Sequence, residues 1–285
     1  MRGGLESIKS NEAVIRAVVW ADLLHATSHG TRPMTADSNF NAEDDGLAKL
    51  LVNGNMTIGT AGSQGHGSIV PISLVPVFDM LRLLCMARSS PDIFNIEHVR
   101  KRKAFSNLLS RVEYLLLDDY APASTQLPRD QEIEVDSDFG ERTDAVCEAT
   151  VAGALIFSYW DLRDLPISAQ PFEYFARRLR ASLQKLVHQR NPSTCVPPAL
   201  LLWPHFQGFK ATSVDSRISD RRWFVNNATD ICRALEIDTE IHLEIIIREV
   251  MVVSIPLTES SNSFKSAFWR GIRDHELRKN GSELA

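Results

Sequence analysis

Apolar residues recur three and four positions apart along much of this chain, the spacing that gathers them onto one face of an α-helix. From Asn11 onward Val14, Ile15, Val18, Ala21, Leu24 and His25 keep that rhythm, with Asn11 as the cap before it and Gly30 and Pro33 closing it. Asp92–Leu117 repeats it through Ile96, Val99, Phe105, Leu108, Leu109, Val112, Leu115 and Leu116. Phe172–His188 does so again through Phe175, Leu179, Leu183 and Leu186, and the prolines of Asn191–Pro198 stop it. No alternating strand series, βαβ spacing or internal repeat competes, so the fold class expected is all-α. The architecture expected is a multi-helix bundle or array of roughly eight to ten helices.

Other segments are helical by length rather than by a clean stripe. Ile72–Ala87 is almost continuously apolar and longer than a buried strand, with Pro71 and Pro76 leaving its opening turn undecided. Ala145–Tyr159 is a run of small and apolar residues that reads as a central buried helix. Its Gly153 suits a close helix crossing at a propensity cost of about 1 kcal/mol. Ala199–Lys210 and Asp220–Leu235 make two further helices. In Ile241–Ile255 the β-branched residues favour strand and the length favours helix; helix is the choice. Residues 31–68 lose the pattern and read as a long mobile loop with at most one short helix around Leu47, Leu50, Leu51 and Val52. The acidic, turn-rich stretch 120–141 reads as an exposed connection.

The chain has 285 residues, 44% hydrophobic and 24% charged, which fits a soluble globular protein with a substantial core, read as one domain over 1–285. A formal charge of −5 gives no bulk reason to hold nucleic acid. Cys85, Cys147, Cys195 and Cys232 lie too far apart for a zinc knuckle or a redox dithiol. The polar start MRGGLESIKSNEAVIR is unlike a signal peptide, which points to a reduced, intracellular protein. Apolar stretches such as Val151–Tyr159 fall short of the roughly 20 residues that cross a bilayer, so no span is expected.

Motifs with chemical meaning are few. Gly59–Ser68 is glycine-rich but lacks the Gly-Lys-Ser/Thr ending of a phosphate loop and reads as a flexible linker. His25 and His29 share a helix face, the geometry of two imidazoles on one metal. Without the Glu of a zincin motif they read better as core or capping histidines. Asp44–Asp45 and Asp118–Asp119 lack the further carboxylate of a magnesium-diphosphate site, and the second pair reads as a helix end in solvent. Arg100–Lys103 is the one concentrated basic patch. Four consecutive helical residues sweep about 300°, so at least one must snorkel along the core edge. No serine sits in a nucleophile elbow. The sequence therefore assigns no catalytic, cofactor-binding, metal or DNA-binding residue and calls for no cofactor.

Six blocks nevertheless fall in a known order and spacing: Val18–Pro33, Arg111–Asp119, Val146–Pro166, Arg177–Leu183, Leu200–Gly208 and Asp220–Ile237. Over roughly residues 12–270 the chain resembles the fungal-specific transcription factor domain, the regulatory region that follows a binuclear zinc cluster. Its most specific parts are the Leu-Leu-Trp-Pro-His-Phe block and the Arg-Trp-Phe block with the Cys-Arg-Ala-Leu after it. Trp203, Phe206, Trp223 and Phe224 in these blocks read as core anchors, each able to bury about 150–250 Å². The chain departs from the family at Val250–Val253 and Pro256, where an aromatic-rich Phe-Leu-Trp is usual, which leaves the last helix and the contacts of Trp269 open.

The resemblance implies a non-enzymatic, all-α regulatory domain, nuclear in its parent protein, acting through protein partners, self-association or a small effector. It implies that DNA is read by a separate cluster of six cysteines; no cysteine precedes Cys85 here. One rival is a helical small-molecule binder or enzyme with a pocket between helices. Another is an interaction protein that pairs with a full-length relative.

Overall fold

A computed structural model describes residues 12–29, 31–34, 70–89, 99–118, 137–166, 168–188, 196–213, 218–251 and 259–283. These residues are mostly helical and contain no strand. They form nine α-helices: α1 (Glu12–His29), α2 (Val75–Ser89), α3 (Val99–Asp118), α4 (Ser137–Phe157), α5 (Gln170–His188), α6 (Pro198–Ala211), α7 (Ile218–Ala234), α8 (Glu240–Met251) and α9 (Glu259–Glu283). The all-α array of eight to ten helices is thus the fold observed.

Local chemistry sets the boundaries. The opening of the Pro71–Pro76 segment is a 3₁₀ turn, Ile72–Leu74, in which the Leu74 N–H bonds the Pro71 carbonyl at 2.8 Å. The α-helix then begins so that Pro76 sits in its first turn, where a missing N–H costs nothing. Pro197 caps α6 and Pro198 occupies its first position, the place where a fixed φ favours the helix. α7 ends in a Schellman closure: the Ile237 N–H reaches the Cys232 carbonyl at 2.9 Å and Glu236 takes φ 53°. α4 starts at Ser137, earlier than the Ala145 read from its apolar run, so its first residues replace the end of the exposed connection expected over 120–141.

Backbone packing sorts the helices into two units within the expected domain 1–285: α1 with α3, and α2 with α4–α9. In the first, α1 packs along α3, with Val19, Leu23 and Ala26 buried on the one and Leu109, Val112 and Leu116 on the other. Arg32 reaches Asp118 at 3.6 Å, and the Asp22 carboxylate accepts the Met34 N–H at 3.0 Å.

In the second unit α6 is the hub, packed against α4, α5, α7, α8 and α9. Every residue from Leu202 to Thr212 is buried, which explains an apolar character on all sides rather than along one stripe. Gly153 of α4 meets the Trp203 indole so closely that a Cβ there would lie 2.9 Å from its Cζ3. Gly208 meets the Phe224 ring closer still, which lets α6 and α7 touch backbone to aromatic face. The crossing expected at Gly153 is therefore present, and Gly208 makes a second one. Of the expected anchors, Trp203, Phe206 and Phe224 are buried while Trp223 is half-buried at the rim. The final run is helical in α8, with Leu243, Ile247 and Val250 buried, and α9 buries Phe268 and Ile272 beyond it. Trp269 is half-buried, with the Arg273 guanidinium 5.7 Å from its ring.

Candidate functional site

The most concentrated buried polar chemistry lies where α4 ends. The residues that follow it, Ser158–Leu162, form a π turn in which the Arg163 N–H bonds the Ser158 carbonyl five residues back at 3.0 Å. Asp164 follows at φ 54°, and the Leu165 N–H bonds the Tyr159 carbonyl at 3.0 Å. Arg88 of α2 secures this exit, donating to the Leu162 carbonyl at 2.8 Å and to both Asp164 carboxylate oxygens at 2.6 and 2.7 Å.

Within the turn the Asp161 carboxylate accepts a hydrogen bond from Lys210 Nζ at 2.5 Å, across 49 positions of sequence. Both side chains are buried, 2% exposed for Lys210 and 10% for Asp161. The ammonium also lies 5.6 Å from the Phe206 ring centre and 5.9 Å from that of Trp160, distances at which an aromatic face attracts a cation. Burial pulls the Lys210 pKa below its usual value, against the charge and hydrogen bond of Asp161 that hold the proton on. Burial, and then the Asp161 charge, push the nearby Cys85 thiol well above its usual range, with Arg88 opposing. Cys85 is thus a protonated core thiol rather than a nucleophile. The Lys210 ammonium is likewise enclosed, held by the Asp161 carboxylate.

A second polar centre sits on the hub helix. His205 Nδ1 lies 2.8 Å from the Leu201 carbonyl, so that nitrogen carries the hydrogen, while Nε2 is buried without a hydrogen-bond partner in the protein. The ring stacks on Trp223 at 5.8 Å and meets Phe224 edge-on at 6.2 Å. Arg180 lies over the Trp223 ring at 5.3 Å and pairs with Asp220. Burial lowers the His205 pKa to about 4, with the Leu201 hydrogen bond opposing, so the imidazole is neutral at pH 7. Between α8 and α9 the buried Lys265 ammonium is held by Glu244 and, at 3.8 Å, by Glu240. Glu244 also pairs with Arg248.

The residues singled out in the sequence do not converge on these centres. His25 and His29 are exposed, not core, and stack at 4.2 Å with His29 Nδ1 3.0 Å from the His25 carbonyl, a contact close to the helix C-terminus. Among the described residues no group of three or more His, Cys, Asp or Glu side chains is placed to hold a metal ion. Asp118 ends α3 in partial exposure, as read; Asp119, Asp44–Asp45 and the Gly59–Ser68 loop lie outside the described residues. Lys101 and Lys103 are half-buried and Arg102 exposed along the start of α3. The Asp161–Lys210 pair went unread, although Lys210 is the one Lys, Arg, Asp or Glu in an otherwise apolar helix. The chain matches no family model, no curated protein and no solved structure.

Proposed function

We propose that this chain is the regulatory domain of a fungal transcription regulator, non-enzymatic and nuclear in its parent protein. It controls transcription through a protein partner, self-association or a small effector, while any DNA reading belongs to another module. The observation that carries this reading is the order of the six sequence blocks, joined to the way the two most specific of them meet. His205 on α6 stacks on Trp223 and meets Phe224 of α7 edge-on, Gly208 lies under the Phe224 ring, and Trp203 and Phe206 of the same block turn to Phe78 and Phe268 instead. Residues so placed act by packing, which is the role a regulatory helical domain asks of them. A helical unit of this kind transmits a signal when a ligand or partner binds one arrangement of its helices better than another.

The test is to read the coding sequence on the 5′ side of the Met1 codon, in frame, for six closely spaced cysteines. Their presence is the expected result and makes the chain the regulatory part of a DNA-binding activator or repressor. Their absence contradicts that assignment, and the chain then reaches promoters only through another protein.

A further inference from the structure

α4 and α7 end in the same way but for one residue. In α7 the closing bond runs from the Ile237 N–H to Cys232, five positions back, around a left-handed Glu236. In α4 it runs from the Leu165 N–H to Tyr159, six positions back, around a left-handed Asp164. The extra position is the one a π turn inserts. The Ser158 hydroxyl at its first residue is buried and makes no hydrogen bond. The buried hydroxyls of Thr150, Thr212 and Thr229 each bond the carbonyl four residues back. Two other helices grip it: Lys210 of α6 holds Asp161, and Arg88 of α2 holds the Leu162 carbonyl and the Asp164 carboxylate.

All three gripped groups lie beyond the start of the turn. Returning the turn to an α-helical register would rotate each of them by about 100° around the helix axis. That rotation takes the Asp161 carboxylate off Lys210 and the Asp164 carboxylate off Arg88. We propose that Ser158–Leu165 is a two-register latch, kept in the π register by Lys210 and Arg88 and released to the α register when either clamp is removed. This inference goes beyond the regulatory reading and does not depend on it. Because α6 carries one clamp and α2 the other, whatever displaces either helix biases the latch, which makes it a discrete switch inside the helical unit.

The experiment is residue-resolved amide hydrogen exchange on the full chain and on Asp161→Asn, which keeps the side-chain shape and removes the charge, with the ¹⁹F spectrum of fluorotryptophan-labelled protein read at Trp160. The latch predicts that amides 159–165 exchange about tenfold faster or more in the variant, while those of Phe175–Leu183 in α5 do not follow, and that Trp160 gives a second resonance. A rise shared equally by α5, or no rise at all, overturns it. Should Asp161→Asn fail to fold, Arg88→Gln decides the matter by the same comparison, since the Asp164 carboxylate it grips is exposed.

Discussion

Lys210 shows how much one buried charge can fix. Truncating it takes the ammonium from the buried Asp161 carboxylate, and breaking a buried ion pair from one side costs about 3–5 kcal/mol, whereas replacing both partners by apolar residues is often neutral. Urea unfolding should therefore show Lys210→Met strongly destabilised and Asp161→Leu/Lys210→Met restored to within about 1–2 kcal/mol of the parent. Equal losses in the single and double variants would mean that the charge pair is not the source. His205 gives a pH signature of known sign. Its folded pKa of about 4 lies below the ordinary 6.5, so the unfolded chain binds more protons between those values. Stability from this group is complete above about pH 6.5 and is lost as pH falls toward 4, by about 3 kcal/mol in all. His205→Asn, whose amide can still donate to Leu201, should flatten that part of the stability–pH curve; an unchanged slope would contradict the buried neutral imidazole. Neither group was legible beforehand. A lone Lys in Pro198–Ala211 was the available sign of a buried partner, but nothing in sequence brings Asp161 to it across 49 positions.

Helices were more legible than contacts, because a stripe of apolar residues records which face is buried but not what lies against it. α5 shows this: Phe175, Leu179, Leu183 and Leu186, the residues of its stripe, are all buried, together with Phe172 and Ala176. α8 was balanced between strand propensity and helical length, and its burial of Leu243, Ile247 and Val250 at four- and three-residue steps shows that tertiary packing decided. The start of α4 was missed since Ser137–Asp144 carries no apolar stripe, so periodicity had nothing to report. Gly153 was read as a crossing point from its small neighbours, whereas Gly208 sits in a block dominated by large side chains that concealed its role. The crossings rank by space. Gly208→Ala drives a methyl into the enclosed Phe224 ring and should cost about 1–3 kcal/mol or more. Gly153→Ala, whose Cβ would be 2.9 Å from the nearest Trp203 atom against 2.3 Å for Gly208 and Phe224, should cost less; the gain in helix propensity of about 1 kcal/mol is common to all three. Gly271→Ala, with Val225 methyls at 3.2 Å, should be the mildest. Thermal unfolding of the three variants checks the order, and a Gly271 variant less stable than the Gly208 one would contradict the packing described.

At the scale of the molecule, burial decides what an apolar run means. Ala145–Leu162 is long and apolar enough to cross a bilayer, with mean hydropathy 1.2, which the shorter runs read from sequence did not reveal; 72% of it is buried against protein. An all-round apolar helix needs cover from every side, and α5 and α6 pack along this one. Fold class followed from periodicity, while function rested on block order. Within each unit the blocks pack on one another without disclosing an effector, because packing residues carry no record of what a surface binds. The regulatory reading is tested most directly by tethering: residues 1–285 fused to an unrelated sequence-specific DNA-binding domain, with reporter transcription measured in yeast beside the DNA-binding domain alone. The account predicts that the fusion raises or lowers reporter output and that Gly208→Trp, which breaks the α6–α7 crossing, abolishes the change. Output indistinguishable from the DNA-binding domain alone, with the fusion folded and present in the nucleus, would contradict it.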